Sequence, residues 1–136
     1  MAPSKTPPKR ANTAALVTIA RKLFSAFPHR ECFGVLLFNS RGRFIGADLV
    51  HVGTLDQSLV HPREVFRPAI LKPATAIVVC HNHPSGDAEP SRLDEVLTRR
   101  LWAAGSILGI HLHDHLVTQD LHHPLNAVRT IHRQAP

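Results

Sequence analysis

The sequence predicts an α/β fold in which helices are layered on one sheet. Three observations carry that prediction. The chain has 136 residues and is 43% hydrophobic, enough for a single modest core. Short apolar runs rich in β-branched residues alternate with segments of helical period. The apolar runs are linked by helix-length crossovers as well as by a tight turn, which favours mixed layers over an all-β arrangement.

In chain order, "MAPSKTPPKR" carries three prolines with Lys5, Lys9 and Arg10, so residues 1–12 are expected to be a flexible basic tail ahead of a single domain over 13–136. Residues 13–27 place Leu16, Ile19, Ala20, Leu23, Phe24 and Phe27 at helical spacing, with Pro28 as the stop. "ECFGVLLF" and "RFIGADLVHVGT", joined by "NSRG", read as a β-hairpin with a bulge at Gly46. "PREVFRPAILK" opens on Pro62 and sets Val65, Phe66, Ala69 and Ile70 on one helical face, with Pro68 as a bend. "TAIVVC" is continuously apolar, as expected of a strand covered on both faces.

"SRLDEVLTRRLWAAGSILGI" is the strongest helix, with Leu93, Val96, Leu97, Leu101, Ala104 and Leu108 as its expected buried stripe. "HLHDHLVT" alternates as a last strand, placing His111, His113 and His115 on one face, and "LNAVRTIHRQAP" is read as a short terminal helix.

Lys and Arg number 16 against 10 acidic residues, and the resulting +6 predicts weak, nonspecific attraction to nucleic acid. No apolar run reaches about 18 residues and no leader pattern precedes the domain, so a soluble cytoplasmic chain without membrane contact is expected. Cys32 and Cys80 lie in apolar runs without a CxxC pair, which fits buried reduced thiols and excludes a thiolate zinc finger.

The chemistry concentrates in "HNHPSGDAEPSRLD", residues 81–94. Residues at i and i+2 of an extended chain point to one side, so His81 and His83 can aim two imidazoles at one point. Hydrolytic zinc sites take three N or O ligands and keep one position for water. Asp94 is the favoured third ligand, because a helix turn fixes its direction, whereas Asp87 and Glu89 lie on the loop. Asn82 points the other way and reads as a loop hydrogen-bonder. "SRLD" is also close to a capping box, with Ser91 as N-cap and Asp94 near N3, where the helix dipole favours a carboxylate. The full pattern His-x-His-Pro-x6-Ser-x2-Asp has a chance occurrence on the order of one in ten thousand at this chain's composition, and the capping and metal readings are compatible.

On these residues the sequence resembles the JAB/MPN metalloproteases with their JAMM motif, and more narrowly the RadC-like branch. "RECFGVLLFN", "GTLDQSLVHPREVF" and "DHLV" extend the resemblance from about His29 to Thr118. The resemblance implies the MPN architecture: a mixed, curved sheet flanked by helices in cytidine deaminase-like layers. It implies one Zn²⁺ per chain on His81, His83 and Asp94, with Glu31 as the acid/base residue and Ser91 steadying the tetrahedral intermediate. Asp114 and His115 match the family's "DH", with an accessory role. The implied reaction is attack of a metal-activated water on an amide bond of a peptide or protein substrate, as in a peptidase or isopeptidase.

The alternatives are a nucleic-acid-binding accessory associated with DNA repair and a non-catalytic MPN interaction module. RadC-like proteins usually begin with a helix-hairpin-helix-like region, for which this chain has no room. Its residues after Thr118 lack the usual aromatic ending strand, so a different sheet edge is expected.

Overall fold

The computed structural model describes residues 13–53, 60–83, 92–118 and 129–130. Among the described residues three helices, α1 (Thr13–Phe24), α2 (Pro62–Leu71) and α3 (Arg92–Leu108), accompany five strands. These are β1 (Cys32–Phe38), β2 (Phe44–Val52), β3 (Ala76–Asn82), β4 (His111–Thr118) and β5 (Arg129–Thr130), in the spatial order β2-β1-β3-β4-β5. β1 is antiparallel to both β2 and β3, β3 is parallel to β4, and β4 is antiparallel to β5. The sheet is therefore mixed, and α3 is the crossover that its one parallel pair requires.

Strand alternation sorts the core into two layers. One face of β1 and β3 sends Phe33, Val35, Leu37, Ile77 and Val79 toward α2 and α3. The other sends Cys32, Leu36, Phe38, Val78 and Cys80 toward α1. Because both strands are covered on both sides, every residue of β1 is buried, which explains their continuous apolar runs. Cys32 and Cys80 are buried free thiols, and burial raises the pKa of both.

The hairpin turn follows from its sequence. Asn39 Oδ1 accepts the N–H groups of Arg41 and Arg43 at 2.9 and 3.0 Å, and Gly42 adopts φ 75°, the left-handed conformation that closes a three-residue loop. The irregularity expected at Gly46 lies beside it: Leu37 pairs with Gly46 and Phe38 with Phe44, leaving Ile45 as the extra residue.

Four local expectations are corrected. α1 ends at Phe24 rather than Phe27, where i→i−3 bonds from Ser25 and Phe27 take over ahead of Pro28. Ile70 is 59% exposed, because it falls about a quarter turn off the Val65–Phe66–Ala69 stripe. On α3 the buried face is Asp94, Leu97, Thr98, Leu101 and Gly105, so Leu93, Val96 and Leu108 are exposed. The expected terminal helix is contradicted at Arg129–Thr130, which pair with β4 as a further strand. The rest of that segment lies outside the described residues, as does the expected tail over 1–12.

α3 stops at Gly109 (φ 74°), where the Ile110 N–H reaches back to the Gly105 carbonyl at 2.9 Å, a Schellman closure. Among the described residues no helix is long and apolar enough to cross a membrane.

Candidate metal centre

The carboxyl end of β3 and the first turn of α3 meet on the α2/α3 face of the sheet, where open α/β folds place their ligands. β3 is buried up to its end, so His81 is 1% exposed although it is polar. His83 lies one residue beyond the strand, held by its N–H on the Thr118 carbonyl at 2.7 Å. Asp94 is the third residue of α3 and reaches back over the strand end.

The three side chains converge. The Nε2 atoms of His81 and His83 are 2.9 Å apart. Asp94 Oδ1 is 3.1 Å from His81 Nε2, and its Oδ2 is 3.5 Å from His83 Nε2. Ligands at zinc distances of about 2.0–2.1 Å in a tetrahedron are separated by about 3.3 Å, so this spacing suits a small cation at the centre. Two imidazole nitrogens and one carboxylate are the donor set of a catalytic site that keeps a fourth position open. The group His81, His83 and Asp94 can hold a metal ion.

Residues behind the donors fix their direction. Phe33 stacks on the His81 ring at 6.0 Å and 13° and meets the His115 ring edge-on at 5.8 Å and 72°. His115 is fully buried, with Nε2 2.7 Å from His81 Nδ1 and Nδ1 2.6 Å from Thr98 Oγ1. Burial and the neighbouring His81 hold the His115 imidazole well below the usual histidine range.

His115 occupies this position because of a bulge in β4. Ile77 pairs with Leu112 but Val78 pairs with Asp114, so His113 is an extra residue that shifts the strand's alternation. The three histidines of "HLHDH" therefore do not share a face: His115 pairs with Val79 on the side of the metal donors, as Leu112 pairs with Ile77. Asp114 pairs with Val78 on the α1 side, and its Oδ1 accepts the His115 N–H at 2.7 Å. Of the "DH" pair, only the imidazole joins the cluster.

Glu31 immediately precedes β1. The antiparallel register sets Phe33 against His81, so Glu31, two residues before Phe33, lies at the end of β1 that adjoins the carboxyl end of β3. Asn82, facing the other way, braces this point: Oδ1 accepts the Cys32 N–H at 2.6 Å, and Nδ2 donates to the Arg30 carbonyl at 3.0 Å. Both bonds flank Glu31. Ser91 lies outside the described residues.

Sequence reasoning missed Thr98 and Phe33. Each carried a signal: Thr98 is i+4 from Asp94 on the same helix face, and Phe33 is i+2 from Glu31 along the same strand side.

Comparison with known proteins follows the same residues. The profile of the RadC-like JAB domain matches residues 10–127. A UPF0758 protein of Rubrobacter xylanophilus is 52% identical over 88 residues, 65% of this chain and 39% of the relative. One from Trichlorobacter lovleyi is 43% identical over 118 residues, 82% of this chain and 51% of the relative. UPF0758 protein STH371 of Symbiobacterium thermophilum is 53% identical over 87 residues, 64% of this chain and 37% of the relative. The chain thus spans about half or less of the length of these curated relatives.

Proposed function

We propose, on the premise that this chain belongs to the RadC-like JAB domain family, that it is a zinc-dependent metallohydrolase cutting amide bonds in a peptide or protein, as a peptidase or isopeptidase. The observation that carries this reading is the convergence of His81, His83 and Asp94 into a three-donor group at the mouth of the fold. When bound there, zinc would supply Lewis acidity and lower the pKa of water to about 7.

The chain's own residues do the rest. Glu31, at the start of β1 next to the carboxyl end of β3, takes the proton of the attacking water and delivers it to the leaving amine, acting as general base and then general acid. Asn82 holds the backbone on both sides of Glu31, which supports a fixed position for that residue. Ser91, three residues before Asp94 in sequence, is assigned to the developing oxyanion, a role worth about 3 to 4 kcal/mol for one well-placed donor. The buried reduced thiols fit a cytoplasmic setting.

The test is a peptide-library cleavage screen on wild type and Glu31→Gln. Cleavage by wild type that vanishes in Glu31→Gln while zinc content is unchanged supports the reading. Equal cleavage by both variants contradicts it.

The +6 charge favours a second reading, a nucleic-acid-binding accessory. It requires binding at low salt that weakens steeply as salt rises. No binding at low salt removes it.

A further inference from the structure

We propose that Thr98 and His115 are positioning residues that lock the tautomer of His81, so that its Nε2 lone pair, and not an N–H, faces the metal position. The proposal rests on the metal-site reading above, adds Thr98 and a direction to it, and gives His115 a specific task.

The direction follows from one atom that can only accept. Thr98 Oγ1 lies 2.7 Å from the Asp94 backbone carbonyl, so the single hydroxyl proton of Thr98 is committed to that oxygen. The 2.6 Å contact between Thr98 Oγ1 and His115 Nδ1 then requires His115 Nδ1–H as donor. A neutral imidazole with Nδ1–H has a bare Nε2, and this atom is 2.7 Å from His81 Nδ1. His81 must therefore donate from Nδ1, which leaves its own Nε2 as a lone pair. That lone pair faces Asp94 Oδ1 at 3.1 Å, two electron-rich atoms that need a cation or a proton between them.

The chain of bonds begins and ends on the same residue. The Asp94 carbonyl sets the polarity of the relay, and the Asp94 carboxylate is a donor of the site the relay serves. The relay is buried, with His81, Thr98 and His115 at 1%, 5% and 0% exposure, so water does not compete for these bonds. Phe33 closes its side against both rings. Ligating histidines in general are oriented by a partner on the second ring nitrogen, and loss of that partner weakens metal binding by about 10- to 100-fold. Here that partner is a histidine whose own tautomer is set by a helix carbonyl through Thr98.

Two measurements on the full chain test this. Long-range ¹⁵N–¹H NMR on histidine-labelled, metal-free protein at neutral pH should show Nδ1–H at both His81 and His115, assigned by loss of signals in His81→Gln and His115→Gln. Titration with Co²⁺ should then give weaker binding for Thr98→Val, by about 10- to 100-fold, and near wild-type binding for Thr98→Ser, which restores the hydroxyl. An Nε2–H form at either histidine in wild type overturns the relay, and so does Thr98→Val binding Co²⁺ as tightly as wild type. If Thr98→Val fails to fold, the wild-type tautomers and the Thr98→Ser titration still decide the question. Wild type that takes up no Co²⁺ overturns the metal reading and this proposal with it. Binding with the wrong tautomers overturns this proposal alone.

Discussion

The two halves of α3 face the same side of the sheet and pack against it by opposite chemistry. The C-terminal half lays Leu101 and Gly105 into an apolar cluster with Phe66, Ile77, Ile110 and Leu112. The N-terminal half adds Leu97 to the same cluster but also buries Asp94 and Thr98 against His81 and His115. The strands change character in step, β3 running from Ile77 through Val79 to His81 and β4 from Leu112 to His115. Burial along one helix is therefore continuous while polarity is not. What makes the polar half tolerable is pairing, since an unpartnered buried polar group costs about 1–3 kcal/mol. Thr98, His115 and His81 each have partners.

If the two halves differ as described, substitutions in them should fail differently. The largest effect is expected at the polar end: His81→Ala should reduce peptide cleavage to the uncatalysed background by removing a donor, with circular dichroism showing a folded chain. At the apolar end, Leu101→Ala should lower stability by about 2–5 kcal/mol in urea titration, with metal content per folded chain unchanged. Gly105→Ala should cost about 1–3 kcal/mol by the same measurement. Its added Cβ would clash with the Ile110 carbonyl oxygen, which is backbone in the helix closure and yields little. The smallest effect belongs to the solvent side: Leu93→Ala, at a residue 52% exposed, should change stability by less than about 0.5 kcal/mol. A large loss at Leu93 would mean that the apolar periodicity, and not the face carrying Asp94, marks the packed side of α3.

That last comparison also shows where the sequence was legible. β1 and β3 could be read from their apolar runs because central strands covered on both faces have no polar side to blur the pattern. The His-x-His spacing was readable for a related reason: strand alternation carries i and i+2 to one side with little dependence on distant contacts. The orientation of α3 was not readable from hydrophobicity. Its buried face contains an aspartate and a threonine, so an apolar stripe drawn through Leu93, Val96 and Leu108 turns the helix away from the site. The face of His115 was hidden by a single extra residue, His113, whose bulge reverses the alternation that placed three histidines together. Thr98 escaped notice because its significance depends on His115, 17 residues away, and on a carbonyl that no side-chain pattern encodes.

The central claim is that the polar end of this face is a metal centre built on His81, His83 and Asp94. Elemental analysis of gently purified wild type beside Asp94→Ala tests it most directly. The account predicts close to one zinc per chain in wild type and near zero in a folded Asp94→Ala. Wild type without stoichiometric metal, or metal that Asp94→Ala retains in full, would contradict it.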